Sequence, residues 1–187
     1  MKNFLYSILY FLIRYSCKLN LITLPAYFIY FSLRKIKKIK YGKKNKRFLV
    51  LHKSVGIDDL TASFQSTKSN IEFLVMKRKI IKILYSCFIK NDHRGDYNYF
   101  TKNTDILYGQ KKYNEYLFKL FSRLNKIIHF NGFINFNVFY KCEVELQKVS
   151  QKLDLKFYSI HKEAMTTPRY SKCIKWIYSN SANKFYG

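Results

Sequence analysis

The first 47 residues contain no acidic side chain, although they carry 12 Lys and Arg. Charge of one sign on that scale cannot be balanced within the segment and favours anionic partners. Glycine and proline are scarce, at 6 and 2 among 187 residues, which argues against an all-β fold built on many tight turns. No two of the four cysteines (Cys17, Cys87, Cys142 and Cys173) form a C-x-x-C, so zinc-ligand spacing is missing. Three of them fall on the apolar stripes of predicted helices and read as buried thiols of a reducing compartment. The phosphate loops G-x-G-x-x-G and G-x-x-x-x-G-K and the nucleophile elbow G-x-S-x-G do not occur. Nicotinamide, ATP and serine-hydrolase readings therefore have no local support, and neither a cofactor nor a metal is expected.

What is abundant is apolar, aromatic and basic. Hydrophobic residues make up 48% and aromatics 19%, with 17 Tyr and 17 Phe against a single Trp. That is enough apolar surface for a packed core. The net charge is +24. Plentiful Lys, Asn, Ile, Phe and Tyr beside only 4 Ala is also what an A·T-rich genome imposes, and this accounts for part of the basic excess. The excess is unevenly placed. Residues 34–47, RKIKKIKYGKKNKR, hold 9 basic side chains, and residues 48–187 balance 23 basic against 11 acidic ones.

Residues 1–47 read as a hydrophobic and basic helical arm. Its apolar pieces, 4–13 (FLYSILYFLI) and 21–33 (LITLPAYFIYFSL), are separated by Arg14, Lys18 and Asn20. Each is shorter than the ~20 residues a spanning helix needs, and charges midway would be costly in a bilayer. A signal peptide fits poorly, because Arg14 follows the apolar run at once and no small-x-small cleavage site appears. Two placements remain. The arm lies in a membrane interface with its basic run on anionic lipid, or it docks on the rest of the chain. The first implies a cytoplasmic protein, peripheral on the inner face of the cell membrane.

Residues 48–187 read as one Rossmann-like α/β domain. Apolar runs at 48–51, 71–75, 127–130 and 155–160 are the expected strands. Helical spacing follows Lys79, resumes at Tyr113 and again at Cys142, and closes the chain after Thr167-Pro168, an N-cap followed by a first-turn proline. The polar stretch 91–110, with Asp92, His93, Arg94, Asp96 and Tyr97, reads as a solvated loop. Alternating strands and helices predict an open parallel sheet with helices on both faces. The chain stops just past a helix where another strand is expected, as the N-terminal half of a two-domain enzyme would.

Open parallel sheets bind ligands beyond the carboxyl ends of their strands. The residues expected there are His52 and Lys53 after the first strand, Asn131 after the third, and His161, Lys162 and Glu163 after the fourth, with Thr167 at the next helix start. FLVLHKS (48–54) and FYSIHKE (157–163) share an aromatic residue, an apolar body and a His-Lys pair. Two such pairs on one rim would form a cationic pocket, with lysine as a point charge for phosphate and imidazole relaying a proton. His161 and Glu163 are the catalytic candidates, Glu163 as general base. His52, Lys53, Asn131, Lys162 and Thr167 are the substrate-binding candidates. The bland alternative is two ordinary strand ends with solvated charges.

The segments FLVLHKSVGIDDL, DYNYF and FYSIHKEAMTTP resemble the N-terminal half of bacterial surface-polysaccharide glycosyltransferase-like proteins of the two-domain GT-B type, over residues 48–178. The resemblance implies transfer of a sugar from a nucleotide-sugar donor to a glycan or lipid-linked acceptor. This half would hold the acceptor, and a second domain or partner chain would hold the donor. By position, His161, Lys162 and Glu163 would face the interdomain cleft, with His52 and Lys53 beside them. The sequence departs from the pattern in having no second domain, which puts catalysis by this chain alone in doubt. Two other functions compete. Basic charge with interleaved Tyr and Phe suits nucleic acid, but no helix-turn-helix, zinc-finger or RNP-type motif is readable, which argues against that partner. A non-catalytic module on the membrane surface needs only the arm.

Overall fold

A computed structural model describes residues 2–37, 46–52, 57–58, 60, 62, 71–89, 101–136 and 141–160. Its elements are α1 (Lys2–Lys18), α2 (Thr23–Ser32), β1 (Arg34–Lys37), β2 (Lys46–His52), β3 (Ile71–Lys77), α3 (Arg78–Phe88), α4 (Thr104–Ile128), β4 (Gly132–Asn135), α5 (Lys141–Lys152) and β5 (Lys156–Ser159). The five strands form one sheet in the order β1-β3-β2-β4-β5. β2, β3, β4 and β5 run parallel, and β1 runs antiparallel to β3 at the edge. The fold is α/β with a mostly parallel, mixed sheet.

Alternation along the strands explains two cores. Leu49, Leu51, Leu74, Met76, Phe133 and Phe157 point to one face, where α3, α4 and α5 cover them. Val50, Phe73, Val75 and Ile134 point to the other, where Ile57 and Leu60, helical residues between β2 and β3, are buried with them. The chain moves one way along the sheet from β2 to β3, and the other way from β3 past β2 to β4 and on to β5. The covering face switches with the direction, so the crossovers keep one hand.

The arm contributes to the first core. Ile13 and Cys17 of α1 and Ala26 and Ile29 of α2 are buried in the same cluster as the sheet and its helices. α1 packs on α3 and α2 on α4. The Tyr116 hydroxyl donates to the Leu21 carbonyl at 2.7 Å, tying the α1–α2 turn to α4. β1, drawn from the basic run, closes the sheet edge; a short, charged strand suits an edge, because lysines there discourage further pairing.

Three expectations are corrected. The arm is not helical throughout and the sheet is not wholly parallel, because Arg34–Lys37 of the basic run pairs antiparallel with β3 as an edge strand. The apolar run 127–130 is not a strand: helical spacing carries α4 through Ile128, and the left-handed His129 (φ 58°) ends it. The Asn125 side chain accepts from the Phe130 N–H at 2.8 Å and completes the turn. The third parallel strand is Gly132–Asn135 instead. The polar stretch before Tyr113 also yields a helix start, because the Asn103 side chain caps the N–H groups of Asp105 and Ile106 at 2.9 and 3.2 Å.

Candidate functional site

Four parallel strands place four carboxyl ends on one edge. His52 ends β2, level with Lys77 at the end of β3. Asn135 ends β4, level with Ser159 at the end of β5. β2 and β5 thus point the same way but are not neighbours: β4 lies between them, which puts their ends about 10 Å apart at the ordinary strand spacing. Lys53, His161, Lys162, Glu163 and Thr167 lie outside the described residues, as does the side chain of His52. Asn131 is placed at the opposite edge. It precedes β4 rather than following a strand, its side chain accepts from the Arg47 N–H at 2.8 Å, and its own N–H donates to the Arg47 carbonyl at 2.8 Å. Arg47, at the amino end of β2, also donates to Glu72 at 2.9 Å and to the Ile128 carbonyl at 2.7 Å. Asn131 therefore belongs to a clamp that sets strand register, away from His52.

The carboxyl edge holds a polar group that sequence reasoning passed over. Arg78, the first residue of α3, donates through Nε to Glu143 in the first turn of α5. Asn135 donates to the other Glu143 oxygen at 3.3 Å. The Glu143 side chain is fully buried; a carboxylate survives there only when paired and hydrogen-bonded, and its place near a helix N-terminus helps. Beside Asn135, the Ser159 hydroxyl is buried and has no hydrogen-bond partner among the described residues. The network couples the ends of β3, β4 and the start of α5.

The other notable surface is the outside of the arm. Phe4, Ile8, Phe11, Tyr15 and Leu19 are exposed at helical spacing along α1 and its end, and Leu21, Leu24, Tyr27 and Phe31 continue the exposed set onto α2. Phe11 and Phe31 are 67% and 77% exposed. Arg14 and Lys18 lie beside the α1 stripe, also exposed. Isolated exposed apolar residues are ordinary, but an exposed apolar set of this extent is a recognised mark of an interaction surface.

Between the helices runs an open groove of about 440 Å³, lined by Leu5, Tyr6, Leu9, Phe28, Phe31 and Ser32. Lysines of the domain lie on two tyrosines of α1, of which Tyr6 lines the groove. Lys77 Nζ lies 3.2 Å from the Tyr6 ring centroid, and Lys79 Nζ lies 4.8 Å from that of Tyr10. Burial, and then the neighbouring Tyr6, push the Tyr10 hydroxyl above its ordinary pKa. The α1 side of the arm thus touches the end of β3, at the carboxyl edge.

Under α1, Cys17 faces Cys87 of α3. Their hydrogen bond, burial and the adjacent sulfur hold the Cys17 thiol far above its usual range. Among the described residues no cluster of His, Cys, Asp and Glu could hold a metal ion, and no helix is long and apolar enough to cross a membrane. No protein-family model, curated protein or solved structure matches this chain.

Proposed function

We propose that this protein works at an anionic membrane surface, with the α1–α2 hairpin lying in the interface and the α/β body standing on it. The observation that carries the reading is the two-sided hairpin. One side is buried in the domain core, while the other exposes Phe4, Ile8, Phe11, Tyr15, Leu24 and Phe31. The segment that contains it has 12 basic and no acidic residues. An apolar stripe bordered by cations suits the boundary between headgroups and acyl chains. The cytoplasmic leaflet, rich in acidic lipid, matches the charge.

Flotation of the full chain with vesicles tests it. The protein should float with phosphatidylglycerol–phosphatidylcholine vesicles and much less with phosphatidylcholine alone. The double variant Phe4→Ser/Phe11→Ser, altered only at exposed positions, should stay at the bottom. Equal flotation of variant and parent would overturn the proposal.

A second reading, sugar transfer from a nucleotide-sugar donor by a Rossmann-like domain, is favoured by one observation. β2 and β5, the strands that lead into the two His-Lys pairs, run parallel with their carboxyl ends on one edge. An antiparallel arrangement would have separated the pairs. The reversal of strand order at β2 supports the Rossmann-like assignment, since ligands of such sheets bind where the order reverses. Turnover of a nucleotide-sugar by this chain together with a complementing second domain, abolished by His52→Ala, is the expected result. Turnover unaffected by His52→Ala and by Glu163→Gln would exclude this edge as the site.

A further inference from the structure

The groove between α1 and α2 is too specific a feature to be explained by surface adhesion. Its volume, about 440 Å³, falls within the ~300–1,000 Å³ usual for small-molecule sites. Its wall is apolar except for the Tyr6 and Ser32 hydroxyls, and the Ser32 hydroxyl is turned back to the Ile29 carbonyl at 2.8 Å. Leu5 and Phe31 line it and are also among the exposed residues of the hairpin, so the groove opens toward the face proposed to rest on lipid. Lys77 stands over Tyr6 with its ammonium group, and Lys79 stands over Tyr10 one turn along α1.

We infer that this groove takes one acyl chain of a single anionic phospholipid from the bilayer, with the phosphate of that lipid held by Lys77 at the carboxyl end of β3. The inference deepens the membrane-surface reading and rests on it. Charge complementarity selects the occupant. An apolar groove whose Tyr6 wall carries the Lys77 ammonium group on its ring accommodates a tail with a negative head, whereas a neutral head leaves Lys77 without gain. The placement has a chemical consequence. Lys77 is level with His52 in the sheet, so a headgroup held there lies at the edge where open parallel sheets bind their ligands. The groove would thus lift one lipid out of the plane and present its head to the domain.

The test uses monomeric lipids below their micelle-forming concentration, titrated calorimetrically into the full chain. Lysophosphatidic acid should bind saturably at one site, lysophosphatidylcholine more weakly, and inorganic phosphate not at all. Lys77→Gln leaves the apolar wall intact and should weaken lysophosphatidic acid binding about tenfold, the usual worth of a charge-assisted contact, and lysophosphatidylcholine, whose choline offsets its phosphate charge, by clearly less. Ser32→Trp, which fills the groove, should abolish binding of both. Equal affinity for the two lysolipids, indifference to Lys77→Gln, or phosphate binding without a tail would each overturn the inference. The Phe4→Ser/Phe11→Ser variant separates the two proposals. It should lose flotation yet keep lysophosphatidic acid binding, because its substitutions lie on the outer stripe and not in the groove. Loss of flotation from the parent chain itself would remove the membrane-surface reading, whatever the lysolipids do.

Discussion

Tyr113 shows how much a single buried hydroxyl can govern. It is fully buried where α3, α4 and α5 meet, its ring edge-on to Tyr85 at 5.0 Å. Its hydroxyl donates toward the Ile81 and Cys142 carbonyls at 3.4 and 3.3 Å. Burial first, then the nearby Cys142 and Glu145, push its pKa well above 10.0. In the unfolded chain the group releases its proton near 10, while the folded chain retains it. Above pH 10 the unfolded state therefore binds fewer protons, and stability falls as pH rises, by at most about 1.4 kcal/mol per pH unit for this one group. Tyr116 is shifted in the same direction by burial and by Cys17. Tyr113→Phe should lower stability by about 1 kcal/mol at neutral pH through the lost hydrogen bond and flatten the alkaline limb. Urea midpoints measured from pH 8 to 11 check this, and parallel limbs in parent and variant would refute it.

The contact between α3 and α4 depends on an absent side chain. A Cβ at Gly109 would meet the Phe88 carbonyl oxygen at 2.5 Å and Ile89 Cδ1 at 2.7 Å. Gly109→Ala, which would add about 1 kcal/mol to an isolated helix, should therefore destabilise this protein, because the oxygen belongs to backbone and cannot rotate away. A rise in thermal midpoint for that variant would refute the close approach of α3 and α4 at Gly109. Other elements were readable to differing degrees. The strands that became β2, β3 and β5 stood out as apolar runs bounded by polar residues. The run 127–130 misled, since Ile127 and Ile128 continue the helical series of Leu117, Leu120, Phe121 and Leu124, and a short apolar run does not reveal its period. β4 was hidden because two of its four residues are Gly132 and Asn135, and the buried Asn135 donates to Glu143. β1 was hidden by its charge. The site fared likewise. The carboxyl edge and His52 on it followed from pattern, but the Arg78–Glu143–Asn135 group and the Lys77–Tyr6 contact join residues too distant in sequence for spacing to disclose. Asn131 was misplaced by the same shift that misplaced the strand.

At the scale of the whole molecule, charge is unevenly shared along the chain. The arm supplies 12 of the 35 basic residues and no acid. Arg14 and Lys18 flank the exposed stripe and should contribute about 1 kcal/mol each on acidic lipid. Replacing both by Gln should weaken binding to phosphatidylglycerol vesicles roughly thirtyfold at low salt and leave the weak affinity for phosphatidylcholine unchanged. Vesicle titrations at two salt concentrations read both effects. A loss of the same size on neutral vesicles would mean the pair acts through folding. The structural side of the hairpin argues against that outcome, since Ile13, Cys17, Ala26 and Ile29, not the two cations, are what the core covers.

The Cys17 thiol, sealed beneath α1, turns the hairpin into its own clock. With Cys17 only 3% exposed and the Leu21 carbonyl bonded to Tyr116, alkylating reagents reach that sulfur only in the moments when the helices lift away. The rate at which the Cys17 peptide is labelled, followed by mass spectrometry, therefore counts those openings. Lipid that receives the hairpin in place should slow the count, and lipid that peels it from the body should quicken it.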